Sequence, residues 1–254
     1  MSLALLCFTL ALLALVVANF FTIRKAKDPT LISKSISLLI PVRNEALNIP
    51  GLIDSLLKQR NLSELQIIFI DDSSEDGTRS LLDQAKAAGA AIEVISAPRL
   101  AENWLGKPWA LKHGLAHAHG EIIVTLDADV RLSSDALAQS VQMLGELDFI
   151  SPYPKQIAES PAERLIQPLL QWSWMATVPL RIAERSSRSS LAVANGQLFL
   201  VKKSALMRIG GFEAIASQVL DDIELARALI KSGAHGGVAD GSALASTRMY
   251  QNFT

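Results

Sequence analysis

Cysteine occurs once in the 254 residues, as Cys7, which excludes a disulfide scaffold and cysteine-ligated zinc. Charge of one sign is not in surplus either: 24 basic and 25 acidic residues leave a net charge of −1, whereas a general nucleic-acid binder carries a basic excess. Neither G-x-G-x-x-G nor G-x-x-x-x-G-K-[ST] occurs, so the phosphate-cradling loops of Rossmann dehydrogenases and P-loop NTPases are missing. His113, His117 and His119 lack an accompanying H-E-x-x-H; although positions 113 and 117 would share a helix face, zinc is a poor reading of them. Internal repeats and low-complexity tracts are absent too.

Charge is missing altogether from Ser2 to Ile23, a run of mainly Leu, Ala, Val and Phe. As a helix, this stretch covers roughly 33 Å, enough to cross a bilayer. No basic residue precedes it, and it is longer than the apolar part of a signal peptide, so an anchor over residues 1–24 is the better reading. Arg24, Lys25 and Lys27 follow at once. The positive-inside tendency then keeps the bulk of the chain at the cytoplasmic face of the inner membrane. Residues 25–34, with Pro29, read as a linker.

Beyond it, short β-branched runs alternate with amphipathic stretches. Strands are expected at Ser37–Val42, Leu65–Ile70, Ala91–Ser96 and Glu121–Leu126, with helices at Glu45–Gln59, Glu75–Ala88, Lys107–His119 and Ser133–Leu144. This alternation indicates an α/β fold with a mostly parallel sheet covered on both faces. Pro161 to Ile182 is different, being apolar but interrupted by Gln167, Pro168, Gln171 and Pro179, with two tryptophans and flanking arginines. Residues 160–184 suit a helix lying in the membrane interface and equally suit a buried helix. From Asn195 a strand (QLFLV), a short helix, a helix from Asp221 to Lys231 and an extended segment from Gly236 to Met249 complete the chain.

Three acidic clusters stand at wide intervals: Asp71-Asp72, Asp127-Ala128-Asp129 and Asp221-Asp222. The first two follow IIFI and IIVTL, placing carboxylates at the mouths of buried parallel strands, where open α/β sheets bind ligands. Helix capping accounts for Ser73 and Ser74 but not for two adjacent carboxylates at a strand end; Asp72 suits a hydrogen bond to a base or ribose. Asp127 and Asp129, two apart on an extended segment, would point the same way and offer hard oxygens to Mg²⁺ or Mn²⁺, diphosphate and water filling the other positions. Asp221-Asp222 opens a helix, where one carboxylate is expected as a cap and the other is available as a base. Lys107, in Gly106-Lys107-Pro108-Trp109, offers a cation for a diphosphate or is a solvated turn lysine. In Pro41-Val42-Arg43-Asn44-Glu45, Asn44 reads as a helix cap or as part of a nucleotide loop.

Together, LLIPVRNEALNI, IIFIDDSSEDGT, WLGKPWAL, IIVTLDADV, NGQLFLVKKSAL and LDDIEL resemble the family 2 glycosyltransferases of the GT-A fold, from about Ser35 to Tyr250. WLGKPWAL, QWSW and RMYQNF are similar to a narrower group, the membrane-bound hopanoid-associated enzymes near the ceramide and carotenoid glycosyltransferases. The resemblance implies a GT-A domain over residues 35–254, and a UDP-sugar pocket lined by Pro41, Glu45 and Asp72. It implies further that Lys107 approaches the diphosphate, that Asp127 and Asp129 form the DxD metal motif with Asp129 as the direct ligand, that Asp222 is the base, and that Gln197 faces the acceptor. The implied reaction is inverting, metal-dependent transfer to a hydroxyl of a hopanoid-, ceramide- or carotenoid-like lipid. Related members carry Q-x-x-R-W after the base and then further membrane helices, and neither is found here. The alternative is therefore a catalytically incomplete, nucleotide-sugar-binding partner subunit of a lipid-assembly complex. A nucleotidyltransferase is a third reading, opposed by the lack of G-x-G-T-R.

Overall fold

The computed structural model describes residues 2–248; the expected extension to Met249 and most of RMYQNF lie outside the described residues. Helix α1 (Leu3–Thr22) precedes β1 (Ile36–Val42), α2 (Ile49–Leu57), β2 (Leu65–Asp71), α3 (Thr78–Ala87), β3 (Glu93–Ser96), α4 (Gly106–His117), β4 (Ile122–Leu126), β5 (Arg131–Leu132) and α5 (Ala136–Leu144). There follow β6 (Phe149–Gln156), α6 (Pro161–Thr177), α7 (Leu180–Ala183), β7 (Leu198–Lys202), α8 (Lys203–Arg208), α9 (Asp221–Lys231) and β8 (Gly236–Thr247).

The strands form one mixed sheet in the order β3-β2-β1-β4-β7-β6-β8-β5. β3, β2, β1 and β4 are parallel, β7 runs antiparallel to both β4 and β6, and β6 is parallel to β8. Alternation along the strands divides the core in two, because successive side chains leave opposite faces. Ile36, Leu38, Ile40 and Val42 of β1, with Ile67 and Phe69 of β2, pack with residues of α2 and α5. Leu39, Ile68, Ile70 and Ile123 face the other way and pack with residues of α4, α8 and α9. Each such buried side chain contributes about 1.5–3 kcal/mol of transfer free energy, so the register is firmly set.

Three helices begin later than the apolar periodicity suggests. α2 starts at Ile49, not Glu45, because residues 45–48 close a turn (Asn48 N donating to Glu45 O, 2.8 Å) and Pro50 sits in the first helical turn. α3 starts at Thr78 because Gly77 is left-handed, with φ of 95°, a conformation open chiefly to glycine. Ser133 to Asp135 likewise precede α5. β6 escapes the sequence pattern because it carries Pro152 and Pro154, which give up donors to a ladder. Only Phe149 and Ile150 of β6 pair with β7, so both prolines fall where the strand has passed its last β7 partner.

β1 shows the same device. It pairs with β2 through Val42 but with β4 only through Leu39, so the sheet splits between the C-terminal ends of β1 and β4. Strand order reverses at this point, where α/β sheets form their crevice.

At the other end, α1 is long and apolar enough to cross a membrane. Asn19 is buried at its foot: its Nδ2 donates to the carbonyls of Met175 (2.8 Å) and Val178 (2.7 Å), and its Oδ1 accepts from Leu180 N (3.0 Å). Arg24 pairs in bidentate fashion with buried Glu184 (2.8 and 3.0 Å), which also accepts from Arg181. Residues 25–34 are not a free tether, since Lys25 bridges to Asp240 and Ile32 to Leu62. α6 opens with a capping box, Ser160 with Glu163. It leaves Leu165, Ile166, Leu169, Leu170 and Trp172 exposed, so it is not an ordinary buried helix.

Candidate active site

A cleft of about 430 Å³ occupies the split between β1 and β4, lined by Pro41, Val42, Arg43, Glu45, Asp72, Gly106, Lys107, Ala110, Asp127, Ala128 and Asp129. The residues singled out as Pro41, Glu45, Asp72, Lys107, Asp127 and Asp129 thus share one cavity, although they come from four separate segments. Asp222 stands beside it, through Lys107.

The loop after β1 is held by the loop after β2. Asn44 N donates to Ser74 Oγ (3.1 Å), Glu75 N to Asn44 Oδ1 (2.8 Å), Glu45 N to Thr78 Oγ1 (2.8 Å) and Ala46 N to Asp76 Oδ2 (2.9 Å). Asn44 is therefore not a helix cap; it is left-handed at φ 56° and staples two loops together. Asp71 is turned inward, where its Oδ1 accepts from Ser74 N (3.1 Å) and closes the turn. That leaves Asp72 for the cleft. It is buried, with Arg43 Nη1 3.6 Å from its Oδ2. Gly106 permits this approach of α4, because a Cβ there would lie 2.8 Å from Asp72 Oδ2. Glu45 accepts from Asn48 Nδ2 (2.7 Å).

Asp127 to Val130 is a turn, not an extended segment, and Val130 N donates to Asp127 O (3.2 Å). The two carboxylates reach the cleft through this turn rather than through strand periodicity. Arg131 holds it: Nη1 donates to the carbonyls of Ala128 and Val130 (both 3.0 Å), while Nη2 donates to Asn48 O (3.0 Å) and Oδ1 (3.1 Å). One oxygen of Asp127 faces Lys107 Nζ at 2.8 Å, and one of Asp129 accepts from Thr247 Oγ1 at 2.6 Å.

Lys107 is the electrostatic centre. Its Nζ also lies 3.4 Å from Asp221 Oδ2. Burial alone would lower its pKa, but the charges of Asp127, Asp221 and Asp222 outweigh that and hold the ammonium above its ordinary range. Asp127 moves up, burial and the charges of Asp129 and Asp221 prevailing over Lys107. Asp222 is also raised, by burial and then by Asp221, against the opposing N–H groups of Ile223 and Gly196 and the charge of Lys107. Those N–H groups fix it: Gly196 N donates to Oδ2 (2.8 Å) and Ile223 N to Oδ1 (2.7 Å). A Cβ on Gly196 would lie 3.0 Å from Lys107 Nζ and 3.4 Å from Asp222 Cβ.

A divalent cation fits this donor set. No group of three or more His, Cys, Asp or Glu side chains among the described residues can hold a metal unaided. Two hard carboxylates open to a cleft are what Mg²⁺ or Mn²⁺ uses when substrate phosphates and water complete its shell. His113 instead packs against Trp109, ring centroids 4.4 Å apart, and His119 lies near Glu64. Gln197 does not line this cleft; its carbonyl accepts from Asp127 N (3.1 Å), and its Oε1 accepts from Gln156 Nε2 (2.8 Å). Sequence reasoning did not single out Arg43, Arg131, Gly196 or Gln156. The N-G-Q triplet before β7 was the one local signal for Gly196.

Fold and cleft together define a GT-A-type α/β domain. Mannosyltransferase PcManGT from Pyrobaculum calidifontis, solved with GDP-Man and Mn²⁺, shares it with a TM-score of 0.68 over 97% of this chain and 68% of its own, at 21% identity. TarS 1-349 of S. aureus, solved with UDP-GlcNAc, gives 0.59 over 86% of this chain and 60% of its own, at 18% identity. The chain belongs to glycosyl transferase family 2, whose profile matches residues 37–210. A 4,4'-diaponeurosporenoate glycosyltransferase of Staphylococcus haemolyticus is 26% identical over 223 residues, covering 86% of this chain and 58% of the relative. That of Staphylococcus aureus MRSA252 is 25% identical over 232 residues, covering 89% and 60%. The chain thus spans about three-fifths of the length of these curated relatives.

Proposed function

We propose that this chain moves a sugar from a UDP-sugar to a hydroxyl of a lipid, with inversion, at the cytoplasmic face of the inner membrane. The observation that carries the reading is the convergence of Asp72, Asp127, Asp129 and Lys107 on one cleft, with Asp222 anchored beside Lys107. Pro41, Glu45 and Asp72 line the nucleotide end; Asp72 accepts from uracil or ribose. Asp127 and Asp129 would hold Mg²⁺ or Mn²⁺, which when bound supplies positive charge to the diphosphate. Lys107, kept protonated by its acidic neighbours, adds fixed positive charge for the departing diphosphate. Asp222, its pKa raised and both oxygens oriented by N–H donors, takes the proton from the acceptor hydroxyl as that oxygen attacks the anomeric carbon. Attack opposite the leaving group inverts the configuration.

The lipid and membrane parts of the reading rest on α1, on Arg24, Lys25 and Lys27 at its foot, and on the exposed apolar face of α6. On this reading residues 1–24 anchor the chain, residues 35–254 form the transferase domain, and α6 rests in the interface. The relatives named for 4,4'-diaponeurosporenoate, a carboxylate, favour a carotenoid-like apolar chain among the hopanoid-, ceramide- and carotenoid-like lipids, and the hydroxyl is this reading's own departure from them. Calorimetry with UDP and UDP-sugars, paired with turnover, tests the proposal. Binding should require Mn²⁺ and weaken in Asp129→Ala. Asp222→Asn should cost about 10²–10⁴ in turnover with donor affinity unchanged, and equal loss of both would overturn the assignment of the base. Turnover by this chain would dismiss the role of an inactive partner subunit.

A further inference from the structure

A second recess, of about 240 Å³, lies beneath α6 and is lined by Tyr153, Gln156, Gln167, Pro168, Gln171 and Asp240 among others. Gln167 is 5% exposed, yet both its amide nitrogen and its amide oxygen are without a hydrogen-bond partner among the described residues. A buried amide left with neither donor nor acceptor satisfied is unusual and calls for a group that supplies both. The recess also connects to the catalytic centre. Gln156, on its wall, donates to Gln197 Oε1, and the Nε2 of Gln197 is likewise buried and unpartnered. Gln197 in turn accepts from Asp127 N and adjoins Gly196, which holds Asp222. On the outer side, the same helix presents the exposed row Leu165, Ile166, Leu169, Leu170 and Trp172.

We propose that this recess is the headgroup subsite for the acceptor, and that Gln167 reads a hydroxyl-bearing headgroup whose apolar tail follows the outer row of α6. The inference rests on the lipid-acceptor reading above and deepens it. A hydroxyl donates to Gln167 Oε1 and accepts from its Nε2, whereas a carboxylate can only accept and would leave the amide oxygen unpaired. Pairing both atoms of Gln167 therefore selects a neutral hydroxyl over an ionised acid. Gln156 and Gln197 then lead from the recess to the segment that fixes Asp222.

The test uses the full chain in nanodiscs, with Trp172→Phe as background to remove the tryptophan on the lipid-facing row. Trp174, whose ring lies 5.7 Å from that of Tyr153, reports the recess. Bromine-tagged hexadecanol should quench it saturably, at about tenfold lower mole fraction than the tagged hexadecanoate at alkaline pH, the value of one well-placed hydrogen bond. Gln167→Leu should abolish that preference, whereas Gln167→Glu, which accepts from a hydroxyl and repels a carboxylate, should retain or increase it. Gln167→Leu should leave Tm unchanged or higher, because no bond is lost. Equal saturation by both probes, a preference retained in Gln167→Leu, or a fall in its Tm would each overturn the proposal. UDP titration of the same samples separates the two readings. Retained UDP binding without alcohol preference defeats the recess alone, and alcohol preference without UDP binding defeats the donor site alone.

Discussion

Replacing Lys107 with methionine removes the one cation shared by three carboxylates while keeping most of the stem that packs at the start of α4. The Nζ lies 2.8 Å from Asp127 and 3.4 Å from Asp221; at an effective dielectric of about 20 each contact is worth roughly 5–6 kcal/mol of gross attraction. Desolvation takes back most of this, and charged hydrogen bonds net about 1.5–3 kcal/mol. Lys107 and Asp127 are also about 30% exposed, so solvent screening leaves about 2 kcal/mol at neutral pH. For a chain of this size that corresponds to a Tm lower by about 4–8 °C.

The pH dependence fixes the sign. Asp127 and Asp222 have raised pKa values in the folded protein, so their favourable contribution is present below the unfolded carboxylate pKa and is lost as pH rises through the folded one. Without Lys107 that loss is larger. The deficit of Lys107→Met against the parent chain should therefore shrink as pH falls from neutrality toward the ordinary carboxylate range. Ligands should respond in opposite directions: Mn²⁺ alone binds the variant more tightly, no ammonium competing for Asp127, while UDP binds it more weakly. Thermal melts at several pH values and calorimetry with each ligand measure all of this. A deficit that grows on acidification, or no deficit at neutral pH, would refute the claim that Lys107 neutralises the cluster.

Gly106→Ala should raise the Kd for UDP at least about tenfold, since its Cβ would intrude on Asp72 Oδ2 at 2.8 Å and one lost hydrogen bond to a charged group amounts to about 1.5–3 kcal/mol; calorimetry reads it. The acid limb of kcat/KM should lie above the ordinary aspartate value of about 3.9, because burial raises Asp222, and Asp221→Asn should move that limb to lower pH by removing a like charge. Asn19→Leu should free two carbonyls and one N–H at the junction of α6 and α7, costing about 1–3 kcal/mol and speeding limited proteolysis there, with UDP affinity unchanged.

The strands that carry the cleft were legible because each is a compact apolar run, ending in carboxylates in β2 and β4, and a parallel sheet covered on both faces writes continuous apolar runs directly into the chain. β6 was not legible, because two prolines argue against a strand unless it is known that its pairing with β7 stops at Ile150, before them. Register is a property of two segments, and a reading of one cannot supply it. The same holds for Asn44, which looks like a cap until the loop after β2 arrives with Ser74 and Glu75 as its partners.

The segment Asn195-Gly196-Gln197 shows the limit most sharply. Asn195 Oδ1 accepts from Gln197 N, Gly196 N donates to Asp222, and Gln197 O accepts from Asp127 N. Three consecutive residues thus fix their own turn through the Asn195 side chain, and the proposed base and metal-binding turn through backbone groups that every residue possesses. Only the glycine betrays the arrangement in sequence, because a side chain there would crowd Lys107 and Asp222. Gly196→Ala isolates this function of the backbone: it removes no charged group but displaces Lys107 and Asp222 by a few tenths of an ångström. If the N–H of Gly196 positions Asp222, turnover should fall by about tenfold or more with UDP affinity nearly unaltered. Unchanged turnover would mean that Asp222 is held well enough by Ile223 N alone.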